Sequence, residues 1–442
     1  MNLSGFKAAR DWLSWRSLVI VSPIFLLTVK HWTNLVVMML CLASLYALHR
    51  RRKEARLIPD GDRRWLRAMS LCLAGPFIAV VIGQVLRQDW FPANLDAPLR
   101  LVLCIPILLA VSRGWLHPAG AAPIPQIWMA IIFPLTLIGT LLNRRAWTDA
   151  WGADRIVTYF VDPLSFSSLT LVLALLSLVA LSMVRPSARW LGRLIGAAGI
   201  LCGLFLSVKG GSRTGWIGIP LFLFLWLRYA VLPLHGRRPA LAATVALLTA
   251  VIVVFALNPA LIQKFQVGLN EVLSYQWQSV NTDGSITIRI SMYRMGFHYF
   301  LESPLMGWGE HGWLAAANAP EFKTFASEFA IYQQPLAGFH NEILTSSVRS
   351  GIWGLMSAIA FFAGPIALSL RTLRRQPGHT ERLVALGVLV FSVHLLMASI
   401  GTEVNNLVFL ASFNGLTLAI GMGWLLSVNR DASTASRPSP VN

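Results

Sequence analysis

The chain has 442 residues, of which 55% are hydrophobic and only 13% are charged, and its mean hydropathy is +0.61. A soluble domain of this length needs more charged side chains to cover its surface, so the composition excludes a soluble enzyme and predicts a polytopic membrane protein. The formal net charge is +18, but most arginines lie in short clusters between apolar runs. That pattern is typical of topology signals and not of nucleic-acid binding.

Apolar runs predict an all-α protein with about twelve transmembrane helices, since roughly 20 apolar residues cross a bilayer. The predicted spans are 17–29, 33–48, 68–86, 98–112, 121–142, 164–184, 194–208, 215–234, 240–258, 351–370, 383–400 and 406–427. The first two are short and leave open a kinked re-entrant pair. The four cysteines lie inside apolar runs without CxxC pairing, so neither a metal knuckle nor a disulfide framework is predicted.

Clusters of arginine and lysine set the orientation. They fall in alternate loops, at 50–64, 185–193, 237–238 and 371–375, and such loops face the cytoplasm. Twelve spans then place both termini in the cytoplasm. The predicted organisation is nine helices in 1–258, a large periplasmic loop in 259–350, three helices in 351–428 and a disordered cytoplasmic tail in 429–442.

The large loop is long for a membrane connection and mixes aromatic, glycine, proline and charged residues, which favours a functional role. Residues 286–303 have a helical apolar pattern. A folded cap that only protects the helices is the alternative.

Positively charged residues also occur in loops predicted to face the periplasm, where such residues are usually rare. "VKGGSRTGWIG" (208–218) contains Lys209 and Arg213, and the large loop contains Arg289 and Arg294. Charges held at this face are functional candidates, and guanidinium groups suit phosphate because they bind two oxygens at once. The adjacent glycines would let backbone N–H groups surround an anion. These residues predict a phosphate clamp; lipid headgroup contacts or snorkelling are the alternative.

The segment "GFHNEILTSSVRSGIWG" (338–354) precedes an apolar run. If the whole segment is helical, His340, Ser347, Gly351 and Gly354 share one face. The glycines would then permit a close helix contact below the histidine. A histidine with a purely structural role is the alternative.

These motifs together resemble a known family. His340–Asn341, nine residues, Gly351, two residues and Gly354 resemble the H-[N/S/Q]-x9-G-x-x-[G/T/Y] signature of bacterial O-antigen ligases, in the O-antigen ligase and polymerase superfamily. "GGSRTG" is similar to that family's Ser–Arg motif. "RISMY" (289–293) with "SPLMGWGEHG" (303–312) is similar to its arginine–aromatic helix and Pro-x-x-Gly-x-Gly turn. The resemblance covers about residues 194–425.

The resemblance implies a C-type polytopic glycosyltransferase. It would move a polysaccharide from undecaprenyl pyrophosphate to a sugar hydroxyl of lipid A core, at the periplasmic face of the bacterial inner membrane. It implies that Arg213 and Arg289 bind the pyrophosphate and that His340 is catalytic. Further candidates for substrate contacts are Lys209, Ser212, Tyr293, Arg294, His311, Asn341, Glu342, Glu403 and, in "DAPLR", Arg100.

The chemistry fits this residue set. A neutral histidine is the usual base near pH 7 for taking the acceptor proton, and arginines compensate the charge on the leaving pyrophosphate. Direct displacement predicts inversion at the anomeric carbon. The D-x-D sequence, Asp60–Gly61–Asp62, is predicted to be cytoplasmic, so no metal and no other cofactor are expected.

Two alternative functions stay open. A polymerase of the same superfamily, or a transferase that glycosylates protein, would share the donor chemistry. A transporter or flippase of an anionic lipid-linked substrate would use the arginines for binding alone, but such proteins often hold charged sites at the midplane. Membrane lipids are expected partners, and nucleic acid is not.

Overall fold

A computed structural model describes residues 29–50, 60–114, 160–182, 189–211, 215–238, 259–310, 319–375, 377–405 and 407–435, with isolated residues at 138, 155, 158, 241, 242, 245 and 249. Throughout these residues the regular structure is helical, and no strand occurs among them. The helices are α1 Trp32–Arg50, α2 Asp60–Arg87, α3 Asp96–Leu103, α4 Ile105–Ser112, α5 Pro163–Leu181, α6 Arg189–Gly210, α7 Ile219–Trp226, α8 Leu232–His235, α9 Pro259–Leu273, α10 Ser285–Glu302, α11 Glu328–Ala337, α12 Glu342–Arg374, α13 His379–Ser399 and α14 Val408–Ala435.

Seven segments of the described residues are long and apolar enough to cross a membrane. They are Trp32–Arg50, Arg63–Arg87, Pro92–Ser112, Pro163–Leu181, Glu342–Arg374, His379–Ser399 and Val408–Ser427. Shorter apolar helices at Gly196–Gly210 and Ile219–Val231 match two more predicted spans. The all-α, multi-pass prediction is therefore confirmed. The predicted spans 17–29, 121–142 and 240–258 lie almost wholly outside the described residues.

Helix α5 shows how sequence sets these elements. Asp162 caps its N-terminus by accepting a hydrogen bond of 2.9 Å from the Ser165 N–H, and Pro163 occupies the first turn, where its missing N–H costs nothing. Helix α6 packs closely along α5. A Cβ on Gly210 would lie 2.9 Å from the Cβ of Ser167, and the Ser167 hydroxyl donates to the Ser207 carbonyl at 2.6 Å. Small and hydroxyl residues thus bring the two helices together.

The main apolar core lies among α1 to α6 and α12 to α14. Cys72 and Cys104 are buried in it, Cys41 is buried in α1, and all three are free thiols, as their apolar surroundings predicted. The histidine of α13, His394, has its Nε2 atom 2.8 Å from the Ser168 hydroxyl of α5, so it joins two helices.

The loop region, residues 259–341, contains α9, α10 and α11. Its own small core includes Met295, Tyr299, Phe322 and Phe339, and Val348 of α12 packs into it. The helix predicted at 286–303 is confirmed as α10. Two boundaries differ from the predictions: α12 begins at Glu342 and not at 351, and α14 continues to Ala435, beyond the predicted start of the tail at 429.

Candidate active site

His340 lies at the junction between the loop region and α12. Asn341 is the N-cap of α12, and its Oδ1 accepts a hydrogen bond of 3.1 Å from the Leu344 N–H. His340 precedes the cap and has a left-handed backbone, with φ of 49°, a conformation uncommon for residues other than glycine. The predicted helical face that began at His340 is therefore wrong, because the helix starts two residues later.

Helix α12 is also broken. Ser350 has φ of −131° and Gly351 has φ of 59° and ψ of −143°, which an L side chain rarely adopts. A Cβ on Gly354 would lie 1.8 Å from the carbonyl oxygen of Ser346, eight residues earlier and on the other side of the break. Gly351 and Gly354 thus serve the break in α12 itself, and their predicted role on a continuous helix face is wrong.

The turn Pro304–Gly309 fills this break. Trp308 N–H donates to the Val348 carbonyl at 2.7 Å, Gly309 N–H donates to the Arg349 carbonyl at 3.0 Å, and Ile352 N–H donates to the Pro304 carbonyl at 2.7 Å. Backbone groups that a kink frees must find new partners. The "SPLMGWG" turn supplies them, and so fixes the loop region against α12.

Replacement of Gly351 by alanine is expected to destabilise the protein by about 1–3 kcal/mol or more, the range for a strained backbone. The new Cβ would also lie 2.5 Å from the Pro304 carbonyl oxygen. Thermal unfolding in detergent measures the effect. Gly378→Ala is the control, since a Cβ there meets nothing within 4 Å; equal melting temperatures of the two variants would contradict the role of Gly351.

Helix α10 brings Arg289 and Tyr293 to His340. Burial, and to a smaller extent the positive charge of Arg289, lowers the pKa of His340 from its ordinary value to about 4. The Tyr293 hydroxyl donates to the Ile400 carbonyl and also hydrogen-bonds the Asn341 side chain. His340 is therefore neutral at physiological pH and stands beside a guanidinium group, which is the protonation state that a general base requires.

Behind His340, the first turns of α12 hold a network of charges. Arg349 Nε is 2.8 Å from Glu310 Oε2, and its Nη2 atom is 3.3 Å from Glu403 Oε2. The Thr345 hydroxyl donates to Glu403 Oε1 at 2.7 Å. Glu342 accepts hydrogen bonds from the backbone N–H groups of residues 404 and 405, at 2.9 and 3.0 Å. These bonds tie α12 to the 400–407 loop.

The Glu403 carboxylate contacts the backbone at Gly338, two residues before His340. A Cβ on Gly338 would lie 1.8 Å from Glu403 Oε1, so only glycine permits this approach. Burial raises the pKa of Glu403 to about 7, although the Arg349 charge opposes the rise. The Glu403 carboxyl is therefore partly protonated near neutral pH. Among the described residues no group of three or more His, Cys, Asp or Glu side chains is placed to hold a metal ion, and independence of metal stays a prediction.

A polar cavity of about 310 Å³ opens beside this network, between α2, α3 and α12. Its lining includes Asn94, Glu310, Glu342, Arg349 and Asn405. Asn405 is 8% exposed, and its Oδ1 atom has no hydrogen-bond partner in the described part of the chain. Since a buried acceptor without a donor is costly, the cavity suits a ligand that donates hydrogen bonds.

The other predicted site residues are spread more widely. Arg294 stacks on Phe325, with 3.7 Å from its Cζ atom to the ring centroid, and its Nη1 is 3.3 Å from the Tyr275 hydroxyl. Lys209 is exposed at the C-terminal end of α6. Arg100 binds Asp96 one turn earlier, at 2.7 Å. Three predicted residues lie outside the described residues: Ser212, Arg213 and His311.

Arg87, Arg349 and Asn405 were not predicted. Arg87, at the end of α2, donates from Nη1 to the Met306 carbonyl at 2.6 Å and to the Arg349 carbonyl at 2.9 Å. The sequence did contain a signal for Arg87. Like Arg289, Arg87 lies on the side of the membrane predicted to be periplasmic, where arginine is usually rare. Arg349 stands in the same quoted segment as His340. Asn405 carries no sequence signal, because its place depends on a cavity.

Comparison with known proteins matches the segment that contains His340 and Arg289. Residues 196–359 match the family model described as O-antigen ligase; this segment includes Arg289, His340 and the break in α12, whereas Arg100 and Glu403 lie outside it. A protein of Haemophilus influenzae, described as uncharacterized, is 20% identical over 328 residues, which are 72% of this chain and 76% of that protein. Residues 196–359 are therefore similar to the O-antigen ligase family model, which is consistent with the O-antigen ligase superfamily.

Proposed function

We propose that the protein is an O-antigen ligase that transfers a polysaccharide from undecaprenyl pyrophosphate to a sugar hydroxyl of lipid A core, at the periplasmic face of the bacterial inner membrane. One observation carries the proposal: His340, with its pKa lowered to about 4, stands beside Arg289 at the membrane end of the loop region. The O-antigen ligase match over this segment supports it. The same site would serve as the donor site of a related polymerase or of a transferase that glycosylates protein.

In the proposed reaction, the acceptor hydroxyl gives its proton to a ring nitrogen of neutral His340 as its oxygen attacks the anomeric carbon. The bond from that carbon to the pyrophosphate oxygen breaks, and the electron pair leaves with undecaprenyl pyrophosphate. Arg289, with Arg213 as the resemblance implies, compensates the negative charge on the leaving group. A single displacement inverts the anomeric configuration, and no proton donor for the leaving group is needed.

The acceptor sugar has a suitable place in the polar cavity. Its volume falls at the lower end of the roughly 300–1,000 Å³ typical of small-molecule sites. The charged side chains of its lining have partners within the protein: Glu310 and Arg349 pair at 2.8 Å, Asp96 pairs with Arg100 at 2.7 Å, and Glu342 accepts hydrogen bonds from backbone N–H groups. Such a lining favours an uncharged, hydroxyl-rich ring over a pyrophosphate. Asn405 Oδ1 is the acceptor that a sugar hydroxyl would satisfy.

Replacement of Asn405 by leucine is expected to raise the KM for lipid A core about three- to tenfold, because one hydrogen bond to a substrate hydroxyl is lost. The KM for the donor is expected to stay unchanged. Initial rates at varied acceptor and donor concentrations measure both constants. Asn270→Leu, at an exposed position of α9, is the control. A variant whose donor KM rose instead would place the cavity on the donor side.

Transfer is expected to continue at an unchanged rate in excess EDTA, because arginines compensate the leaving-group charge without a divalent ion. Initial rates with and without EDTA measure this. A loss of activity that added Mg²⁺ or Mn²⁺ restored would overturn the metal-free mechanism.

The proposed function is tested with purified protein in proteoliposomes that contain lipid-linked glycan and either lipid A core or no other acceptor. A ligase forms glycan joined to lipid A core. A polymerase instead forms longer lipid-linked glycan without lipid A core, and a flippase moves the glycan across the bilayer with no new bond. The first product is expected, and either of the others in its place would overturn the proposal.

A further inference from the structure

A second cavity lies at the opposite end of α2 from the candidate active site. It has a volume of about 500 Å³ and is open at one side. Its lining consists of Arg63, Leu66, Arg67, Ser70 and Leu71 from α2, Leu109 from α4 and Arg113 just beyond α4. We call it the arginine groove.

The groove is separated from the active site by the thickness of the membrane. Arg87, at one end of α2, binds the turn that fills the break in α12. Arg63 lies 24 residues earlier on the same helix, which at 1.5 Å per residue is a rise of about 36 Å. The far end of α12 is close to this end of α2, since the Arg371 guanidinium lies 5.0 Å from the centroid of the Trp65 ring. The arginine groove thus opens on the membrane face opposite His340.

The charges of the groove are of one sign. Three guanidinium groups line it, and no carboxylate is among the described residues of its lining. The Nε atom of Arg113 is buried and has no hydrogen-bond partner among the residues that the structure describes. A buried donor of this kind calls for an acceptor. Oxygen atoms of a phosphate match the planar guanidinium fork best.

The rest of the groove is apolar and faces lipid. Leu66 is buried, whereas Leu71 is 64% exposed at the groove's edge. The Ser70 hydroxyl is already bonded to the Leu66 carbonyl at 2.9 Å, so it adds little to recognition. A free phosphate would use the arginines and leave the leucines uncovered. A phospholipid would use both, with its phosphate at the arginines and an acyl chain along Leu71 and Leu109.

We propose that the arginine groove is a binding site for an anionic glycerophospholipid of the leaflet opposite the active site. Basic pockets between transmembrane helices recognise such headgroups. The site is separate from the transferase chemistry, because none of its lining residues belongs to the network around His340.

The test uses the full purified chain in a neutral detergent and native mass spectrometry, with phosphatidylglycerol, phosphatidylcholine or inorganic phosphate as the probe. The wild type is expected to retain phosphatidylglycerol in preference to phosphatidylcholine. The double variant Arg67→Gln/Arg113→Gln is expected to bind phosphatidylglycerol about 25-fold more weakly, at about fivefold for each guanidinium near an anionic headgroup. Arg64→Gln is the matched control, since Arg64 is an exposed arginine of α2 outside the groove.

A second measurement needs no variant. Phosphatidylglycerol is expected to protect Arg67 and Arg113 of the wild type from modification by phenylglyoxal, and to leave Arg64 reactive, as peptide mass spectrometry would record. The proposal is overturned if Arg64→Gln weakens binding as much as the double variant does, or if phosphatidylcholine binds as well as phosphatidylglycerol. Equal protection by inorganic phosphate would show a site for a free anion and would also overturn it.

Discussion

Replacement of His340 by alanine is expected to lower the initial rate of glycan transfer by about 10²–10⁴, the usual contribution of a general base. His340 is the only histidine that the structure places beside Arg289 among the described residues, and its lowered pKa keeps it neutral. The donor should still bind, because the arginines that hold the pyrophosphate are intact. The loss should therefore appear in kcat, with a smaller change in the KM for the lipid-linked glycan.

A matched control separates this loss from a fault in folding. His379→Ala removes an exposed histidine at the start of α13 and should leave transfer unchanged. Both variants should elute as the wild type does in size-exclusion chromatography. Transfer by His340→Ala within about threefold of the wild type would contradict the assignment of the base.

Replacement of Arg289 by glutamine is expected to lower the rate of transfer by about 10²–10³, the cost of removing one group that stabilises developing negative charge. It should also move the pH profile. The base is active when neutral, so the wild-type rate should fall only as the pH drops through about 4. Without the Arg289 charge the pKa of His340 rises, and the fall should begin at a higher pH.

Arg289→Lys tests the two effects separately. Lysine keeps the charge, so the low-pH limb should stay near that of the wild type, while the rate falls because the two-pronged contact with phosphate is lost. Burial is the larger cause of the lowered pKa, so even Arg289→Gln should keep the limb below the ordinary value of 6.5. A rate loss in Arg289→Gln without any movement of the limb would show that Arg289 does not face His340.

The transmembrane helices could be predicted from sequence because each depends on the hydrophobicity of one continuous segment. A run such as 164–184 is apolar along its length, and the helix Pro163–Leu181 follows directly from that. The same holds for α1, α13 and α14. The predicted start of α12 was wrong because hydropathy detects only the apolar part of a helix, whereas this helix begins at the Asn341 cap, within a polar segment.

The sequence predicted which types of residue form the candidate site, but not how they are arranged in space. The histidine and arginine of the motifs, His340 and Arg289, lie together in the structure. The break at Gly351 was missed because the turn that stabilises it, Pro304–Gly309, lies more than forty residues earlier in the chain. Arg87 and Trp308 donate to carbonyl groups of residues far away in the chain, and the pattern of one segment does not reveal such partners.

Glu342 and Glu403 show the same limit. Both were predicted as candidate substrate contacts from their position on the loop side, and that role stays a prediction. The structure gives each a set of protein partners: backbone N–H groups for Glu342, and Thr345 with Arg349 for Glu403. These contacts cross from α12 to the 400–407 loop, and no periodicity of either segment encodes them.

The central claim is that this chain breaks the bond between the glycan and undecaprenyl pyrophosphate and joins the glycan to an acceptor. The most direct measurement is the amount of undecaprenyl pyrophosphate released by the purified protein in proteoliposomes with labelled lipid-linked glycan, with and without lipid A core. We expect release only with lipid A core, with one molecule released for each glycan joined. Movement of labelled glycan across the bilayer without release would contradict the claim.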